Sequence, residues 1–146
     1  MKPFSHKHLR DRFTDGESLG LFIEALEYFQ SYNRDPDEEK LRLAEERLKA
    51  CRDRYPNDLL PLFYLGLVNV ERSYAGLDEA IEIFKRVLET TDETLRLDAL
   101  YNLGIAYIEL YDDDAKIQAH NYLTEAITTA EKINTSQSQA VSLHAK

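Results

Sequence analysis

Residues 99–110 read ALYNLGIAYIEL. Apart from Asn102 and Glu109 the stretch is apolar or aromatic, yet Gly104 stands at its centre. A glycine inside a helix is about 1 kcal/mol less favourable than alanine, so a packing gain must offset it. Residues 61–71, PLFYLGLVNVE, raise the same question at Gly66. The Leu-Gly pair thus recurs 38 residues apart, as Leu65-Gly66 and Leu103-Gly104. A fixed period of this size is the mark of a repeat architecture.

Outward from these stretches the apolar spacing is helical, and no segment alternates apolar and polar residues over a strand's length. Six helices are expected. The first starts near Gly16, where Thr14 and Glu17 have capping-box spacing, and carries Leu19, Phe22, Leu26 and Phe29. Asp35 is expected to cap the second, with Pro36 in its first position. Leu41, Ala44, Leu48, Cys51 and Tyr55 form its stripe, and Pro56 stops it. Asp58 caps the third, and Gly76 divides it from the fourth, whose apolar positions are Ala80, Ile81, Phe84, Val87 and Leu88. The fifth holds the opening stretch. The sixth follows YDDDA with Ala119, Leu123, Ala126, Ile127 and Ala130 on one side. After Ile133 the polar run NTSQSQAVSLHAK predicts a frayed tail.

The helix pairs resemble one another. Leu65-Gly66 is followed by Ala80, Phe84, Val87 and Leu88; Leu103-Gly104, with Tyr107, is followed by Ala119, Leu123, Ala126 and Ile127. The second helix of the first pair repeats Ala44, Leu48 and Cys51 before Pro56. This pattern resembles the tetratricopeptide repeat, which combines Leu-Gly and Tyr on one helix with Ala, an aromatic residue and a closing Pro on the next. Leu62 and Leu100 stand where that family has Trp, and the turns between helices are two or three residues longer than usual. The resemblance implies an all-α, right-handed superhelical array of three helix-turn-helix repeats. They would span about 16–56, 57–92 and 93–133, between an N-terminal segment (1–15) and a polar C-terminal tail (134–146). It also implies that Gly66 and Gly104 face Ala80 and Ala119, small against small, so that paired helices approach closely.

In such an array the first helix of each pair lines a concave groove. Counting from the Leu-Gly anchors, the groove receives Leu60, Phe63, Leu67 and Val70 from the third helix. Asp98, Tyr101, Ile105 and Ile108 come from the fifth, with Asn102 at one further position. Helices three and five are then apolar nearly all round, and such helices are either buried or in contact with something else. Three occupants stay open: the chain's own N-terminal segment through Phe4, Leu9 and Phe13, a partner's apolar or amphipathic segment, or a second copy in a homodimer. A family subtype grips a C-terminal carboxylate with Lys, Arg and Asn. Here Asn102 has no cation beside it, which argues against such a clamp. Helix six shows a polar outer side (Gln118, Asn121, Thr124, Glu125, Thr128), as the end of an array requires.

Charge and composition narrow the functional classes. The chain has 146 residues and net charge −9. Residues 1–55 hold 11 basic and 12 acidic residues, whereas residues 56–146 hold 7 and 15. An acidic surface repels nucleic acid and anionic lipid, so neither is an expected partner. No apolar run is long enough to cross a bilayer. The single cysteine, Cys51, fits a reducing compartment such as the cytoplasm. No metal or cofactor is expected. His6 and His8 lack further ligands, and DPDEEKLRLAEE places Lys40 where a calcium loop requires Gly. No phosphate loop, nucleophile elbow or zinc spacing occurs. An enzyme would need carboxylates converging in a pocket, but the acidic residues fall at helix starts and on exposed faces. The expected function is therefore that of a protein-interaction module or adaptor, with an acidic rim that favours basic flanks on its ligand. Small acidic tetratricopeptide chaperones of bacterial secretion systems share this size and repeat number and form a narrower alternative.

Overall fold

The computed structural model describes residues 12–72 and 74–145, with side chains through Gln137. Among these residues are six α-helices and no strand. They are α1 (Gly16–Arg34), α2 (Glu38–Arg54), α3 (Leu59–Arg72), α4 (Leu77–Val87), α5 (Glu93–Glu109) and α6 (Asp113–Ala145), with a 3-10 turn at Tyr74–Gly76 before α4. The chain forms two compact units, Met1–Gly76 and Leu77–Lys146. Their border falls inside the segment read above as the second repeat.

Helix starts follow side-chain chemistry, with two shifts from the sequence reading. Asp15, not Thr14, caps α1: its carboxylate accepts from Ser18 N at 2.7 Å and from the Tyr55 hydroxyl at 2.7 Å. A carboxylate suits the positive helix end better than a hydroxyl, and Tyr55 holds it there. Those two hydrogen bonds keep the Asp15 carboxyl below the usual carboxylate range. Asp37, not Asp35, caps α2 by accepting from Glu39 N at 3.0 Å. Asp35 closes α1 instead, donating its N–H to Ser31 O at 2.9 Å. Its extended backbone is what a residue before proline prefers. Asp58, Asp92 and Asp112 cap α3, α5 and α6 and accept from Leu60 N, Thr94 N and Ala115 N.

In the first unit α1 and α3 both pack on α2. Phe22, Leu41, Ala44, Leu48 and Cys51 are buried at the periodic positions read from the sequence. Phe13 joins this core, 5.1 Å from the Phe22 ring and 5.5 Å from Tyr55. It is therefore unavailable to fill a groove elsewhere, while Phe4, Leu9, His6 and His8 lie outside the described residues. Full burial of each large apolar side chain contributes about 1.5–3 kcal/mol. Tyr64 of α3 meets Phe22 of α1 edge-on at 5.5 Å, so α3 reaches both helices of the hairpin. Arg72 of α3 also pairs with Glu45 of α2. Gly76 closes the unit where a Cβ would lie 2.2 Å from Asn69 O, a backbone atom with no room to move.

The second unit is organised around α5, which packs on both α4 and α6. Leu77, Ala80, Ile81, Phe84 and Val87 form one buried stripe of α4. From α5, Leu95, Ala99, Leu100, Leu103 and Ala106 are buried. Tyr107 and Tyr122 stack with ring centroids 5.7 Å apart, and Arg96 bridges to Glu125 at 2.6 Å. Helix α6 does not end at Ile133 but runs on to Ala145. A polar composition argues against burial, not against helix, and no Gly or Pro interrupts this stretch.

Candidate functional site

The expected groove residues separate into two environments. Leu60 and Phe63 are fully buried in α3 and present no surface to a partner. This corrects their assignment to a groove: a helix apolar on nearly every side has taken the buried alternative. Leu67 and Val70 are half-buried. On α5, Asp98, Asn102 and Ile105 are half-buried, while Tyr101 and Ile108 are exposed. Asn102 donates its side-chain amide to Asp98 O at 2.7 Å, within its own helix, as a mid-helix polar residue often does.

Around Asp98 and Tyr101 the second unit opens a groove between α5 and α6, about 510 Å³ in volume. Leu97, Asp98 and Tyr101 form one wall, and Leu123, Ala126, Ile127 and Ala130 form the other. The two helices run antiparallel, so the short Ala126 and Ala130 side chains leave the space that Leu97 and Tyr101 border. Tyr101 is 56% exposed and Ile127 61% exposed. None of Leu60, Phe63, Leu67, Val70, Asn102, Ile105 or Ile108 lines this groove.

Gly104 decides the depth of this groove. The atoms nearest to a Cβ built on it would be Leu123 Cδ2 and Cγ, both at 2.5 Å. Leu123, one helical turn beyond the expected Ala119, is thus the side chain that uses the missing Cβ. It sinks against the α5 backbone, and its outer side lines the groove. The same absent side chain explains both the close helix approach and the recessed surface beside it.

Asp98 is the only charged side chain among the lining residues. Burial pushes its carboxyl above the ordinary value; the positive chain N-terminus works against that shift and the Asp92 charge adds to it. Among the described residues its carboxylate makes no hydrogen bond or ion pair. It is a half-desolvated carboxyl at the edge of an apolar surface.

Other chemistry-bearing groups are quiet. Burial pushes the Cys51 thiol up to about 11, and the thiol donates to Ser18 O at 3.3 Å. The described residues contain no group of three or more His, Cys, Asp or Glu that could hold a metal ion. No described helix is long and apolar enough to cross a membrane. No family model, curated protein or solved structure matches the chain significantly.

Leu97, Leu123, Ala126, Ile127 and Ala130 were not legible as groove residues, because the whole Ala119-to-Ala130 stripe was expected to pack within the hairpin. The missed signal was width. Ala119, Leu123 and Ala126 suffice to pack α6 on α5, so Ile127 broadens the stripe beyond one neighbour's reach.

Proposed function

We propose that the chain is a helical-repeat interaction module of tetratricopeptide type. Its task is to bind an apolar or amphipathic segment of a partner protein against the α5–α6 groove. The single observation that carries this reading is the groove itself: a recessed apolar surface with Tyr101 and Ile127 more than half exposed. Scattered surface apolar residues need no explanation, but several converging on one depression mark a binding surface. The packed hairpins α1–α2 and α5–α6 coincide with the first and third sequence repeats, which supports the repeat reading. Burial of apolar area supplies the affinity, and the surrounding net negative charge favours basic flanks on the ligand.

The test is capture of partners by the whole chain, compared with its Tyr101→Asp and Ile127→Asp variants. Both side chains are more than half exposed, so both variants keep the helical circular dichroism of the parent. Loss of the captured protein in both variants supports the groove as the site. Its retention by a folded variant removes the groove from the mechanism.

A further inference from the structure

One end of the first unit closes over a buried hydroxyl and a buried thiol. Polar contacts fix the register of the α1–α2 hairpin: Asp15 meets Tyr55, Ser18 meets Cys51, and Glu24 meets Arg47. The two helices therefore run antiparallel. Phe22 stands one turn beyond Ser18 on α1, and Tyr55 stands one turn beyond Cys51 on α2. Their rings thus flank the Ser18–Cys51 contact on opposite sides. The Phe13 ring lies 5.1 Å from the first and 5.5 Å from the second. It is placed across that contact, and Phe13, Ser18 and Cys51 are all buried.

Phe13 is not part of α1, which begins at Gly16. Among residues 12–15 it is the one buried side chain, and Thr14 beside it is exposed. Outside the core this link is held by polar groups: Arg12 reaches Asp58 at 2.6 Å, and Thr14 Oγ1 lies 3.4 Å from the Tyr55 hydroxyl. The closed arrangement also carries a penalty. Ser18 Oγ is buried with no hydrogen-bond partner among the described residues, and a buried polar group left unpaired forfeits its hydration. Opening the cover restores that hydration.

We infer that Phe13 is a detachable cover: residues 12–14 swing out from the Asp15 cap while α1, α2 and α3 stay folded, and this opening admits water and thiol reagents to Ser18 and Cys51. Segments held by few buried contacts open at lower free energy than the whole domain. A single ring and a partly exposed ion pair tie down this one. Asp15 is anchored separately, by Ser18 N and the Tyr55 hydroxyl, so α1 keeps its cap when the cover leaves.

The experiment follows labelling of Cys51, the one cysteine of the chain, by an aromatic disulfide reagent in the full chain. Denaturant is varied below the unfolding transition, and circular dichroism is recorded in parallel. Slow labelling with a rate nearly independent of denaturant is expected, because the opening exposes few residues. Arg12→Gln removes the outer tether and should speed labelling roughly fivefold, with helix content unchanged. Ser18→Ala removes the unpaired hydroxyl from the closed form and should slow labelling at least about fivefold. Labelling that climbs with denaturant as steeply as global unfolding assigns access to loss of the whole unit and overturns the inference. So does a complete absence of labelling below the transition, and so does an Arg12→Gln rate equal to that of the parent.

Discussion

Gly104 on α5 and Leu123 on α6 occupy one space: a Cβ on the first would come within 2.5 Å of the second. Gly104→Ala gains about 1 kcal/mol of helix propensity but forces Leu123 outward, an overpacking cost of about 1–3 kcal/mol. A net loss of about 1 kcal/mol is expected in denaturant unfolding. Leu123→Ala removes the clash, so the two substitutions should couple by at least about 1 kcal/mol in a double-mutant cycle. Additive effects would show that Leu123 does not occupy the space.

Tyr111 is the one described non-glycine residue with positive φ, at 58°, and it is 81% exposed just after α5. Left-handed backbone at this point of a helix end is usually supplied by glycine, and it costs an ordinary side chain about 1–2 kcal/mol. Tyr111→Gly relieves that strain and surrenders about 0.5–1 kcal/mol of unfolded-chain entropy. A net stabilisation of about 0.5 kcal/mol is expected as a rise in melting temperature. Tyr111→Val, β-branched, should lower it.

Cys51 is fully buried, and its thiol is pushed up to about 11. The thiolate is the reactive form, so the folded chain should resist an aromatic disulfide reagent at pH 8. Labelling should accelerate by orders of magnitude once denaturant exposes the thiol. Rapid stoichiometric reaction in native buffer would contradict the packing of α2 on α1.

Asp15 should tie stability to acid pH through Tyr55. Its carboxyl is held low in the folded chain by Ser18 N first and the Tyr55 hydroxyl second. A lowered folded-state pKa contributes stability above the unfolded pKa and loses it as pH falls through the folded value. Tyr55→Phe removes one of those hydrogen bonds. The Asp15 carboxyl should then titrate at higher pH in carbon-detected NMR, and the acid limb of unfolding should move up with it. An unmoved Asp15 titration would mean that the 2.7 Å contact does not persist in solution.

The helices, their number and most of their buried stripes were determined locally. Periodicity of Leu41, Ala44, Leu48 and Cys51, or of Ala80, Ile81, Phe84 and Val87, arises from the helical turn itself, so it can be read without knowing the neighbours. Caps were legible as chemistry but not always as position: Thr14, Asp15, Asp35 and Asp37 all have capping side chains. Only a distant Tyr55 and a flanking Pro36 chose among them. Tertiary packing alone decided which apolar face met protein and which met solvent. Leu60 and Phe63 went inside, Phe13 entered the first unit's core, and Ile127 came to the surface beside Tyr101. Nothing in a single helix distinguishes these outcomes, because each depends on whether a second helix lies close enough to cover the side chain. At the groove that distance was set by one absent atom, the Cβ of Gly104.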